Sequence, residues 1–235
     1  MAVGLAMAAP ALAQPGVVDA ANYDAFWLWG GVTPQPVLAR ARSLYLLRGE
    51  VAASHGVTRL IAQGGTTPHL HMSAPGGEVW IVYRAQTLDW TPAIYTQILA
   101  ERARWRAGGN PVAGIQIDFD ARTHHLDSYA AFLKDLRVRL PADCKLSITG
   151  LLDWSSQGDS AALDALGGVV DEVVLQTYQG RRTIPGYGDY LARLGRVKLP
   201  FKIGLVEGGD WTPSASLAAN PWFRGYVVFL KNPGR

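Results

Sequence analysis

The chain has 235 residues, 49% hydrophobic and 17% charged, with 8 Trp, 9 Tyr and 6 Phe. So much apolar side chain excludes intrinsic disorder and supports a sizeable core. The formal net charge is only +3, and the basic residues are scattered, which leaves out the concentrated positive footprint of a nucleic-acid binder.

The single cysteine, Cys144, excludes an intrachain disulfide and any thiolate metal cage. Residues Met1–Ala13 (MAVGLAMAAPALA) form an apolar run closing on Ala11-Leu12-Ala13, a small-x-small cleavage pattern before Gln14. The run is shorter than the roughly 20 apolar residues that cross a bilayer, and no other stretch is long and apolar enough to span one. The expectation is a signal peptide over 1–13, export to the periplasm or beyond, and one domain over 14–235 acting as a monomer.

In chain order, apolar runs bounded by turn residues recur as AFWLWGG from Ala25, SLYLLRG from Ser43, EVWIVYR from Glu78 and AGIQIDF from Ala113. KLSITGL from Lys145, DEVVLQTY from Asp171, FKIGLV from Phe201 and GYVVFL from Gly225 complete the series. Nearly continuous apolar runs mark strands buried on both faces of a parallel sheet. Thr91-Pro92 starts a helix and Gly108-Gly109 ends it, with Ile94, Ile98 and Leu99 as its apolar stripe. A second helix runs from Asp127 to Leu140, with Tyr129, Phe132, Leu133, Leu136 and Leu140 at helical period and Pro141 as the stop. Weaker helices fit Ala161–Leu166, Tyr187–Leu194 and Ser214–Ala219. Helix signals are poorest after the first two strands, and 64–77 reads as an irregular loop.

Strands alternating with helices in a chain of this size predict an α/β fold, a single (β/α)8 TIM barrel. The competing doubly wound sheet would carry a glycine-rich phosphate loop after its first strand, where this chain has Trp-Gly-Gly-Val-Thr-Pro.

A barrel puts its chemistry at the C-terminal ends of the strands. Those ends supply Trp29, Arg48, Glu50, Arg84, Asp118, Asp120, Asp153, Trp154, Gln176, Tyr178, Gln179, Glu207, Asp210, Trp211 and Lys231. The strand N-termini also carry charge, at Asp171, Glu172 and Lys202. In the fourth strand, alternation sends Ile115, Ile117 and Phe119 towards the helices and Gln116, Asp118 and Asp120 into the barrel. Two carboxyls about 6.6 Å apart at Cα on one strand face repel as a charged pair, so one is expected to keep its proton near neutral pH. A protonated acid beside a carboxylate is the pair that glycosidic cleavage requires. The plainer alternative is that the two acids cap loops or pair with Arg84 or Arg122.

The order of these segments resembles chitinase-like glycoside hydrolases of family 18. Their fourth-strand pattern D-x-x-D-x-D-x-E falls on Ala113, Gln116, Asp118 and Asp120, so Asp120 stands where the family has its general acid. Their sixth-strand M-x-Y-D falls on Gln176-Thr177-Tyr178-Gln179, and Tyr178 matches the residue that helps hold the substrate's acetamido group. The phrases YDAFWLWGG, LYLLRGEV, QIDFDART and LSITGLLDW are similar to an uncharacterised bacterial family of secreted proteins in the same TIM-barrel glycosidase group.

The resemblance implies a carbohydrate-active barrel whose partner is an oligo- or polysaccharide, with Asp118, Asp120 and Tyr178 as catalytic candidates. Trp29, Glu50, Arg84, Gln116, Asp153, Trp154, Gln176, Gln179, Glu207 and Trp211 are the substrate-binding candidates, and aromatic rings at the rim suit the apolar faces of sugars. Gln116 and Gln179 replace family carboxylates. A two-carboxylate mechanism therefore stands beside substrate assistance, with Asp120 as acid and Asp118, Asp153, Glu50 or Glu207 as base or nucleophile. The same replacements motivate a second reading, a sugar-binding barrel without turnover. A third uses Asp118 and Asp120 as metal ligands, yet no cofactor or metal is expected. His69-Leu70-His71 offers no third ligand, and His124-His125 reads as a solvated loop pair.

Overall fold

In the computed structural model, residues 16–33, 35–63, 76–120, 126–152, 165–192, 194 and 198–232 are described. Met1–Ala13, His69, His71, His124, His125, Asp153, Trp154, Arg122 and most of the expected 161–166 helix lie outside them.

All eight apolar runs form strands. In chain order the strands are β1 (Gly16–Val17), β2 (Ala25–Leu28), β3 (Ser43–Ser54), β4 (Val57–Ala62), β5 (Glu78–Ala85), β6 (Val112–Asp118) and β7 (Lys145–Leu151). They continue with β8 (Glu172–Gln176), β9 (Tyr178–Gln179), β10 (Arg182–Thr183), β11 (Phe201–Val206), β12 (Asp210–Trp211) and β13 (Phe223–Phe229). Parallel pairing runs β2-β3-β5-β6-β7-β8-β11-β13 and returns from β13 to β2 through Val228 opposite Phe26 and Phe229 opposite Trp27. The ring is closed, as in the expected TIM barrel. Helices α1 (Pro92–Ala107), α2 (Leu126–Arg139), α3 (Tyr187–Leu191) and α4 (Ala215–Ala218) follow β5, β6, β10 and β12.

The helix signals act as read. Pro92 occupies the first turn of α1, and Gly109 takes φ +82° just past its end while its N–H donates to the Arg106 carbonyl. The helix buries Ile94, Tyr95, Ile98 and Trp105. α2 buries Tyr129, Phe132, Leu133 and Leu136, the stripe read from its period.

Among the described residues, the helical structure after β2 is a 3-10 turn, Pro36–Arg40. The second strand departs from expectation: β3 runs on to Ser54 and turns into the antiparallel β4. The tip is His55-Gly56, at φ +51° and +74°, the two left-handed positions of a primed hairpin turn.

Side chains alternate between two cores. Phe26, Leu44, Leu46, Ile81, Ile115, Ile117, Leu146 and Ile148 face outward to the helices, while Trp27, Tyr45, Leu47, Trp80, Val82, Val174 and Val227 fill the ring. Two glycines permit this packing. A Cβ at Gly204 would lie 2.7 Å from Cζ3 of Trp27, so the indole fits only because that inward position is empty. A Cβ at Gly114 would lie 2.0 Å from the Lys145 carbonyl oxygen, which belongs to the neighbouring strand and cannot rotate away. Gly114→Ala is therefore expected to cost about 3 kcal/mol through forced backbone displacement, seen as a lower urea midpoint with an unchanged denaturant slope.

Polar groups are also enclosed. At the N-terminal end of the ring, Lys202 Nζ lies 3.0 Å from Glu172 Oε2 and donates to Tyr45 Oη at 2.9 Å. Tyr45 Oη donates to Glu172 Oε1 at 2.7 Å, and Ser147 Oγ donates to the same oxygen at 3.0 Å. Gln116 continues the chain upwards, donating to Ser147 Oγ at 2.9 Å and accepting from Trp27 Nε1 at 2.6 Å. Glu78 joins from the side, accepting from Trp80 Nε1 at 3.0 Å and Ser43 Oγ at 3.1 Å. Every buried donor and acceptor in this spine has a partner, the condition under which burying such groups is tolerable.

Candidate functional site

Above Trp27 the barrel opens into a cleft of about 600 Å³. It is lined by the strand-end residues Trp29, Arg84, Asp118, Asp120, Gln176, Tyr178 and Gln179, and by Leu151, Leu152, Gly180, Ile184, Tyr190 and Phe229. Asp118, Asp120 and Tyr178, the three catalytic candidates, thus face one space.

The two carboxyls have different surroundings. Asp118 ends β6 with its side chain inside the ring and is 6% exposed. Thr149 Oγ1, on the adjacent β7, donates to Asp118 Oδ1 at 2.9 Å. Burial pushes the Asp118 carboxyl up to about 6, against the Thr149 hydrogen bond, which favours the charged form; the neighbouring Asp120 charge adds a smaller upward push. The upward direction is the expected one, although a carboxyl at about 6 is mostly ionised at pH 7 and not the protonated group expected there. The cause differs, because desolvation leads and like-charge repulsion is secondary. Both acids were also expected to be buried, whereas the Asp120 side chain is 69% exposed. The strand ends at Asp118, so the alternation that turns residues inward no longer binds Asp120. Asp120 Oδ2 lies 3.9 Å from Arg84 Nη2, so the expected alternative of an acid paired with Arg84 is present as well.

An aromatic arc forms the wall. Arg84 lies over the Trp29 ring, its Cζ 5.4 Å from the centroid. Trp29 meets Phe229 edge-on at 5.5 Å, and Phe229 meets Tyr178 at 5.7 Å. Tyr178 also touches the Trp27 plug at 6.4 Å. Burial, and then the nearby Asp118 charge, raise the Tyr178 phenol well above its ordinary value, so it stays an O–H donor. Its position is fixed by the short hairpin β9–β10, in which Thr183 pairs with Tyr178, and by Thr177, whose Oγ1 donates to the Gly204 carbonyl at 2.8 Å.

Other candidates lie elsewhere. Gln116 is fully buried beneath the cleft, its amide engaged by Trp27 and Ser147. Trp211 is 4% exposed and stacks on Tyr187 at 5.1 Å, within the outer core. Glu207 Oε2 accepts from the Lys231 N–H at 2.9 Å and from Gln35 Nε2 at 3.2 Å, tying the loop after β2 to the end of β13. Glu50 accepts from Gln86 Nε2 on the β3 extension, outside the cleft lining, although its charge still reaches Asp118. Sequence reasoning missed Thr149, Phe229, Ile184 and Tyr190. Thr149 was findable, because it sits two residues beyond Ser147 on the inward parity of β7.

Residues 84–196 match the family described as "Domain of unknown function (DUF3142)". No curated protein matches the chain in sequence. Among solved structures, the Bacillus cereus spore cortex-lytic enzyme SleL is 18% identical with a TM-score of 0.50, covering 77% of this chain and 49% of that one. The chitinase domain of the spore coat protein CotE from Clostridium difficile is 14% identical with a TM-score of 0.51, covering 83% and 66%. The xylanase-alpha-amylase inhibitor protein XAIP-I, solved in complex with trehalose, is 10% identical with a TM-score of 0.57, covering 87% and 91%. The chain spans about half of SleL and just under two thirds of the CotE domain. At these identities the likeness establishes the architecture, and it places the chain in the same barrel fold as a chitinase domain, a cortex-lytic enzyme and an inhibitor protein.

Proposed function

We propose that the protein is a carbohydrate-active enzyme, a glycoside hydrolase that works with Asp118 and Asp120. The observation that carries this reading is the unequal pair at the end of β6: a buried carboxyl raised to about 6 and an exposed one, both facing an aromatic-walled cleft. Asp120, at the lip, is the group that reaches a glycosidic oxygen. Asp120 gives its proton to that oxygen as the bond breaks, Asp118, beneath it, takes the proton of the attacking water, and Tyr178 donates a hydrogen bond to the sugar. Trp29, Phe229 and Tyr178 offer faces to sugar rings. Export to the periplasm or beyond belongs to the same proposal, supported by the apolar Met1–Ala13 run.

The test is release of reducing ends from a panel of polysaccharides, with Asp120→Asn beside the wild type. Hydrolysis by the wild type that the variant loses while keeping sugar affinity is the expected result. Affinity without any reducing-end release by the wild type would instead establish the sugar-binding reading, which the Arg84–Asp120 ion pair favours. Activity lost in EDTA and restored by a divalent ion would establish the metal reading.

A further inference from the structure

Arg84 is the cation that lines the cleft among the described residues. Its guanidinium lies over the Trp29 ring, Cζ 5.4 Å from the centroid, a cation–π contact that holds it at the cleft wall. Its closest approach to Asp120 is Nη2 at 3.9 Å, beyond hydrogen-bond reach. Among the described residues Arg84 makes no hydrogen bond, so its side chain, 41% exposed, presents unused donors to the cleft. The other polar side chains lining the cleft are carboxyls, amides and phenols. A planar guanidinium held over an aromatic ring with spare N–H donors matches a carboxylate, which it can grip through two hydrogen bonds.

We infer that Arg84 reads a carboxylate on the substrate, so that the cleft prefers an acidic sugar, either a uronic acid or a sugar bearing an acidic ether. This rests on the cleft being a glycan site, and it goes further by assigning the substrate's charge. Trp29 serves both partners: it holds the guanidinium on its face and, beside Phe229, offers the apolar wall for the sugar ring. The pair with Asp120 is long and partly solvated, and such pairs contribute little, so an incoming carboxylate competes for Arg84 at small cost.

The experiment is calorimetric binding to Asp118→Asn protein, which removes turnover, using tetragalacturonate, an N-acetylmuramic acid disaccharide and neutral galactotetraose. At least one acidic ligand is expected to bind ten-fold or more tighter than the neutral one, and which of the two does so separates uronate from acidic ether. Adding Arg84→Gln is expected to bring the ratio of acidic to neutral affinity from ten-fold or more down to about one. Circular dichroism and melting temperature check that this variant is folded. Equal affinity for acidic and neutral ligands, binding of none of them, or equal weakening of all by Arg84→Gln overturns the inference. The last outcome would mean that Arg84 acts only through Asp120. Preference for an acidic sugar with no wild-type hydrolysis would sink the hydrolase reading and leave this one standing. Wild-type hydrolysis of neutral glycans that is unaffected by charge would do the reverse.

Discussion

Asp118→Asn is expected to make the protein more stable at pH 8 while abolishing the proposed hydrolysis. Asp118 is raised to about 6 in the folded chain from 3.8. The folded state therefore holds a proton between these values that the unfolded state has released. Native stability falls as pH rises through that window, and above it the buried charge costs a constant amount. The difference of about two pH units corresponds to roughly 3 kcal/mol. Asparagine keeps the oxygen that accepts from Thr149 and carries no charge. The variant should gain about 2 to 3 kcal/mol over wild type at pH 8 and nothing near pH 3.5. Thermal melts across pH check this, the gain at pH 8 being roughly 5 °C or more. The same substitution removes the titrating group from the cleft, and loss of at least about a hundredfold in rate is expected for a general acid or base. A flat stability difference across pH would show that Asp118 is not held as described.

Lys202→Met carries the other large effect, with the opposite sign. Lys202 is 9% exposed and Glu172 8% exposed, and Lys202 balances Glu172 at 3.0 Å and, more distantly, Glu78 at 3.9 Å. Methionine has a similar length but leaves Glu172 buried with only Tyr45 and Ser147 as donors. Breaking one side of an enclosed ion pair costs about 3 to 5 kcal/mol. Lys202→Met with Glu172→Gln should recover much of that loss, because the nearest buried charge is gone and the carboxylate that remains, Glu78, lay farther from Lys202, at 3.9 Å, and is more exposed. Urea unfolding of the two single variants and the double variant gives the coupling directly. Independent, additive effects would contradict the network.

Much of the architecture was legible because the barrel writes itself as runs of apolar residues with period-two alternation. Ile115 and Ile117 against Gln116 and Asp118 already told which side faced the ring, and the structure keeps that parity. The β3–β4 hairpin was hidden for a physical reason: Val57 and Ile61 are exposed, so the strand has none of the doubly buried character by which its neighbours were recognised. Its signal lay in the His55-Gly56 turn.

At the site, strand-end position identified Trp29, Arg84, Asp118, Gln176 and Tyr178, because the barrel converges those ends. It placed Trp211 and Glu207 wrongly with respect to the cleft, since both follow β11 in a segment that bends back over the outer core. The enclosed Lys202–Glu172 pair was visible only as charge at strand beginnings. Its inward direction follows from parity with Gly204 and Val174.

The indole of Trp27, seated in the gap left by Gly204, makes the ring a blind socket. For the proposed glycan this leaves no route along the axis, so a long chain would cross the mouth above the carboxyls. Trp27→Ala would remove that floor and open the socket downwards to the Gln116 amide oxygen, which the indole N–H now occupies.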